Sequence, residues 1–147
     1  MSREKAQILI VDDEPSSIQL LCALLESTAE LSIAVTAEKA LDIAQTQLPD
    51  LILLDIELPD GSGFDVCQQL RSEAATSHIP VIFLTGFTDI MFEAKAFDVG
   101  AVDFISKPAS PFRVIMRVNA HLKDELKMSG DHIRQIARGV MASSQVD

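Results

Sequence analysis

Five short apolar runs punctuate the chain: "QILIVD" (7–12), "LSIAVT" (31–36), "DLILLD" (50–55), "PVIFLT" (80–85) and "AVDFIS" (101–106). Most are continuous rather than alternating, the pattern of strands covered on both faces of a parallel sheet. The segments between them carry helical spacing. Ile18, Leu21, Cys22 and Leu25 fall at i, i+3, i+4 and i+7 behind Pro15, a residue suited to a first helical turn. Ala40, Leu41 and Ala44 lie on one side of the next segment, and Phe64, Cys67 and Leu70 share a face of the third. Thr88 is placed to cap "DIMFEAKAFDV", which Gly100 stops, and Ser110 with Pro111 opens "PFRVIMRVNAHL". Strand and helix alternate strictly, and right-handed crossovers leave few ways to join them. The pattern predicts an α/β fold: a doubly wound five-stranded parallel sheet with helices on both faces.

Residues beyond about 127 exceed what that sandwich needs. Ile133, Ile136, Ala137 and Val140 form a further helical stripe. Ser129-Gly130 could break the chain and let a short helix pack locally. Alternatively the last helix runs on, since Ile115, Val118, Leu122, Leu126, Ile133, Ile136 and Val140 keep roughly three/four spacing. A glycine inside a helix costs about 1 kcal/mol, which disfavours the continuous version. The expected organisation is therefore a domain over 1–127 and a helical tail or linker over 128–147.

Composition narrows the class. At 147 residues the chain is the size of one domain and can bury a core without staples. It holds no run of about 18 apolar residues, so no membrane-spanning helix is expected. "MSREKAQILIV" lacks the long apolar stretch of a secretory signal. Cys22 and Cys67 are isolated in apolar helical contexts and read as small core residues, so a reducing cytoplasm is the expected location. A net charge of -10 argues against binding nucleic acid, whose phosphates it would repel, and suits a protein that carries a divalent cation.

In doubly wound sheets the site lies outside the carboxyl ends of the strands. The first run ends in Asp12 and Asp13, the third in Asp55 and the fourth in Thr85, while Lys107 and Pro108 follow the fifth. Each alone has an ordinary reading. Acids before Pro15 suit a helix N-terminus, Asp55 could form a turn, Thr85 fits a strand, and Lys107 could simply be solvated. Together they place three acids, a hydroxyl and an amine on one rim. Crowded carboxylates repel unless a hard cation such as Mg²⁺ relieves them. A carboxylate is also a competent nucleophile toward phosphorus, and phosphoryl transfer asks mainly for positioning and charge neutralisation. Gly86, directly after Thr85, leaves room for a phosphoryl group and its donor.

"VDDE" (11–14), "LLDIELPDGSGFD" (53–65), "LTG" (84–86) and "DFISKP" (103–108) resemble the receiver domains of two-component response regulators, over roughly residues 6–127. The resemblance implies a flavodoxin-like fold and a phosphoacceptor at Asp55, supplied by a histidine kinase or phosphotransfer protein. It implies Mg²⁺ held by Asp12, Asp13, Asp55 and the backbone carbonyl of Glu57, with Thr85 and Lys107 contacting the phosphoryl group. Phe104 matches the switch aromatic that turns inward when Thr85 moves, reshaping helix four, strand five and helix five. Glu57 and Phe87 occupy positions that tune the lifetime of the phosphoryl group. Lys107–Pro108 is expected cis. The tail resembles the exits of larger regulators, so an output domain or downstream partner is implied, with a homodimer left open.

Two other classes compete with this reading. A haloacid-dehalogenase-like phosphatase also uses an aspartate after an apolar strand, but needs an acidic Asp two residues on, where Glu57 stands, and a cap domain. A receiver-like binding module that is never phosphorylated would lack some of the rim residues, and none is missing. His78, His121 and His132 read as surface or packing residues, and Met91, Phe92 and Phe97 as packing on the fourth helix or, for some of them, exposed to a partner.

Overall fold

The computed structural model describes residues 5–87 and 89–145, together with all of their side chains except those of residues 137 and 140–145. Five strands form the sheet: β1 (Ala6–Val11), β2 (Ala29–Ala34), β3 (Leu51–Leu54), β4 (Val81–Thr85) and β5 (Asp103–Ser106). They are all parallel, in the order β2-β1-β3-β4-β5. The helices are α1 (Pro15–Leu25), α2 (Ala37–Gln47), α3 (Gly63–Ser72), α4 (Ile90–Asp98), α5 (Pro111–His121) and α6 (Gly130–Gln145). The strand order reverses direction between β1 and β3, which opens a crevice above their carboxyl ends.

Alternation along each strand divides the core. Leu9, Val11, Ile52, Leu54, Phe83 and Phe104 face α2, α3 and α4. Ile8, Ile10, Leu51, Leu53, Ile82 and Ile105 face α1, α5 and the start of α6. Both faces being apolar explains why the runs are continuous.

The helix boundaries follow the capping chemistry. Pro15 occupies the first turn of α1, the Thr36 hydroxyl accepts from Lys39 N–H at α2, and Ser110 accepts from Arg113 N–H at α5. Thr88 lies outside the described residues; the cap of α4 is Asp89, whose side chain accepts from Met91 N–H. A carboxylate at this position also suits the helix dipole, which a threonine would not exploit. Gly100 stops α4 with φ +102, a backbone conformation that only glycine adopts freely. The stripe on α1 shifts by one position, since Leu24 is buried while Ile18 and Cys22 are half-buried. Met91 and Phe97 do not pack: they are 72% and 47% exposed, because α4 sends only Ala96 fully into the core.

Between α5 and α6 the chain turns through Leu122 and a short 3-10 turn at Asp124–Leu126. The last helix is therefore a separate one. The Asn119 side chain clamps the connection, accepting from Met128 N–H at 2.6 Å and donating to Met128 carbonyl at 3.4 Å. Ile133 is buried in the core beneath α5, and Ile136 packs against it. Ala137 and Val140, the rest of the expected stripe, have side chains outside those described.

Candidate functional site

Three rim residues are held by hydrogen bonds just past the strand ends. Asp12 N–H donates to Ala34 carbonyl at 3.1 Å, Asp55 N–H to Val11 carbonyl at 2.9 Å, and Lys107 N–H to Thr85 carbonyl at 2.7 Å. Their backbones are thus registered against neighbouring strands, and the side chains inherit that placement.

The side chains converge. Asp12, Asp13 and Asp55 each offer a carboxylate oxygen within 4.8 Å of the others. Lys107 Nζ donates to Asp12 Oδ2 at 2.6 Å and to Asp55 Oδ2 at 3.1 Å. Asp12 is buried, Asp55 half-buried and Asp13 exposed at the mouth. The Lys107–Pro108 bond is cis.

One lysine cannot neutralise three acids. Burial pushes the Asp12 carboxyl above its ordinary range, and the Lys107 and Glu14 N–H hydrogen bonds only partly offset it. Burial alone would depress the Lys107 ammonium, but the Asp12 hydrogen bond and the Asp55 charge outweigh it, leaving the pKa raised. Both shifts favour a proton in the pocket, as expected of a site with surplus negative charge. The donor set is entirely hard oxygen, carries more than one uncompensated charge and opens to solvent on the Asp13 side. It fits a divalent cation such as Mg²⁺.

Replacing Lys107 by Met tests this balance. It leaves the buried Asp12 carboxylate without its counter-charge, an expected cost of about 3 kcal/mol in urea unfolding under EDTA. An excess of Mg²⁺ should recover part of the loss. The ammonium's pKa is raised on folding, so the gap is full below pH 10.5 and closes as pH climbs through the raised value. An unchanged midpoint in EDTA would show that solvent already screens Asp12.

The cluster opens into a groove of about 640 Å³ lined by Asp13, Asp55, Glu57, Gly86, Phe87 and Lys107 among others. A Cβ at Gly86 would meet nothing within 4 Å, which leaves the expected free space beside the acids. Thr85 is buried and is not among the lining residues; its hydroxyl accepts from Phe87 N–H at 3.3 Å. Phe104 is 7% exposed and packs in the core cluster with Phe83 and Ala96. Phe87 packs on Phe92, and Phe92 stacks on Phe64, with centroids 5.4 and 6.2 Å apart.

The sequence reading missed Ser16, Ser17 and Leu20 of α1, which line the same groove. Their position one turn into the helix after "VDDEP" was the available signal. That reading gave no separate role to Asp60. None of the histidines joins the site: His78 is exposed, and His121 pairs with Asp103 at 3.1 Å at the opposite end of the sheet.

Comparison with known proteins gives the family and the fold. The family model described as "Response regulator receiver domain" matches residues 8–119. The chain belongs to the response regulator receiver domain family. It is 36% identical over 131 residues to the response regulator PleD of Caulobacter vibrioides, covering 88% of this chain and 28% of that one. It is 40% identical over 118 residues to a "Probable cyclic di-GMP phosphodiesterase" of Vibrio cholerae, covering 80% of this chain and 27% of that one. Among solved structures, chemotaxis response regulator CheY4 of Vibrio cholerae superposes with a TM-score of 0.74 at 27% identity, covering 80% of this chain and 99% of that one. The receiver therefore spans only about a quarter of the length of those two curated relatives. A receiver domain is a regulatory unit. Among the described residues no helix is long and apolar enough to cross a membrane.

Proposed function

We propose that this receiver is a Mg²⁺-dependent switch that takes a phosphoryl group onto Asp55 from a histidine kinase or phosphotransfer protein. The observation that carries the reading is the meeting of Asp55 Oδ2 with Lys107 Nζ at 3.1 Å inside a cluster of three carboxylates. Asp12, Asp13, Asp55 and the Glu57 backbone carbonyl would hold the cation. When bound, Mg²⁺ would neutralise the acids and the equatorial phosphoryl oxygens.

The chain's own groups perform the rest. A carboxylate oxygen of Asp55 attacks phosphorus as the phosphorus–nitrogen bond of the donor phosphohistidine breaks, and the imidazole leaves with that electron pair. Lys107 already lies on Asp55 and contacts the arriving phosphoryl oxygens. For the Thr85 hydroxyl to reach them it turns away from Phe87 N–H, freeing the loop ahead of α4. Because Phe104 is already buried, the reshaping of the α4, β5 and α5 surface consists of α4 and its loop repacking around that ring. The surface so changed would control an output domain or a downstream protein, with residues 128–147 as the tail or linker toward it. This reading leaves a homodimer open, and a cytoplasmic location is part of it. Direct nucleic-acid binding by these residues is not, given the net charge of -10.

Incubation with acetyl phosphate and Mg²⁺ should phosphorylate the chain, and EDTA should prevent it. Failure to label under either condition would leave the unphosphorylated binding module as the better reading. Multiple turnover of phosphate esters would instead favour a haloacid-dehalogenase-like phosphatase.

A further inference from the structure

Asp60 stands at the tip of the turn that follows Asp55, and its carboxylate reaches across to a different element. Oδ1 accepts from Ala37 N–H at 2.7 Å and Oδ2 from Glu38 N–H at 3.1 Å. Those are the first two unsatisfied donors of α2. The helix has its own cap in Thr36, which takes the third donor, Lys39 N–H, at 3.1 Å. Asp60 therefore adds a second cap borrowed from the loop, and the two N–H groups hold its carboxyl below the ordinary range.

The same loop is anchored at its base. Ile56 N–H donates to Asp55 Oδ1 at 2.7 Å, and Gly63 N–H donates to Ile56 carbonyl at 2.6 Å. Between base and tip runs a two-stranded ribbon that pairs Glu57 with Ser62 and Leu58 with Gly61. Leu58 points into the core, while Glu57 is exposed and lines the groove with Asp13 and Asp55. At its tip the ribbon also touches the helix start, where a Cβ on Gly61 would lie 3.7 Å from Ala37 Cβ.

We infer that Asp60 is a positioning residue for cation binding: by tying the ribbon tip to the N-terminus of α2, it holds the Glu57 backbone beside the three carboxylates. This rests on the proposed function of the site. A two-residue ribbon pair is too short to fix itself, so its order comes from the anchors. Removing the tip anchor lets Glu57 move relative to the acids without altering any carboxylate there.

Mn²⁺, titrated calorimetrically into the full chain, reads this without activity. Asp60→Ala should bind about ten-fold more weakly, the lower end of what losing an outer hydrogen-bond partner costs. Asp60→Asn, which keeps one acceptor oxygen, should fall in between. Thr36→Ala removes the helix's own cap and should leave Mn²⁺ affinity unchanged while lowering the melting temperature. Two results overturn the role: Mn²⁺ affinity unaltered in Asp60→Ala, or an equal loss in Thr36→Ala, which would make α2 stability the cause. Asp13→Asn separates the two levels of the argument. If it too leaves Mn²⁺ affinity unchanged, the reading of the site itself fails.

Discussion

Changing Asp55 to Asn should abolish phosphorylation by acetyl phosphate while leaving the fold intact. The amide is nearly the same size as the carboxylate, and its oxygen can still accept the Ile56 N–H that now bonds Asp55 Oδ1 at 2.7 Å. Lys107 keeps its shorter bond to Asp12 at 2.6 Å, and one source of like-charge repulsion disappears. Stability should therefore hold or rise slightly. What is lost is the anionic nucleophile. Intact-mass analysis should show a phosphoryl adduct on the parent chain, labile to hydroxylamine as an acyl phosphate is, and none on the variant. Label that persists, or that moves to Asp12 or Asp13, would remove Asp55 from the role proposed for it.

The largest structural effect is expected at Gly63. A Cβ there would sit 2.1 Å from the Asp55 carbonyl oxygen, 3.0 Å from its carbon and 3.1 Å from Ile56 Cα. All three are backbone atoms, so no side chain can swing aside. Gly63→Ala must push the start of α3 away from the end of β3 and break the 2.6 Å bond between Gly63 N–H and Ile56 carbonyl. We expect a loss of about 3 kcal/mol in urea unfolding, the upper part of the range for overpacking a tight contact. Phosphorylation should slow as well, since Asp55 is the residue displaced. A stability within about 0.5 kcal/mol of the parent would show that the loop yields easily.

Most of the sheet was legible because its signal is local. A strand covered on both faces is mostly apolar, as β1, β3 and β4 are, whereas the edge strand β2 is exposed at Glu30 and Ile33. The cap read at Ser110 sits three residues from the donor it satisfies. The rim residues were legible for a related reason: each lies at the end of its run, and parallel strands put all such ends on one edge. The helices were read less well. The packing of α4 was overestimated at Met91 and Phe97, because the apolar content of a helix does not say which part of it finds a neighbour. The choice between a continuous and a broken tail also depended on a contact that local pattern omits, the Asn119 clamp on Met128.

By itself the sequence determined the order of strands and helices, the parallel sheet they must form, and the identity of the groups delivered to its rim. Periodicity and strand ends are properties of neighbouring residues, so no distant contact was needed to see them. Only the tertiary structure decided that Lys107 bridges Asp12 and Asp55, that Thr85 is turned toward Phe87 N–H, that Phe104 is buried, and that Asp60 grips a helix 23 residues upstream. Side-chain direction at the end of a strand depends on burial, competing hydrogen bonds and opposing charge. Those are set by residues far away in the chain and close only after it has folded.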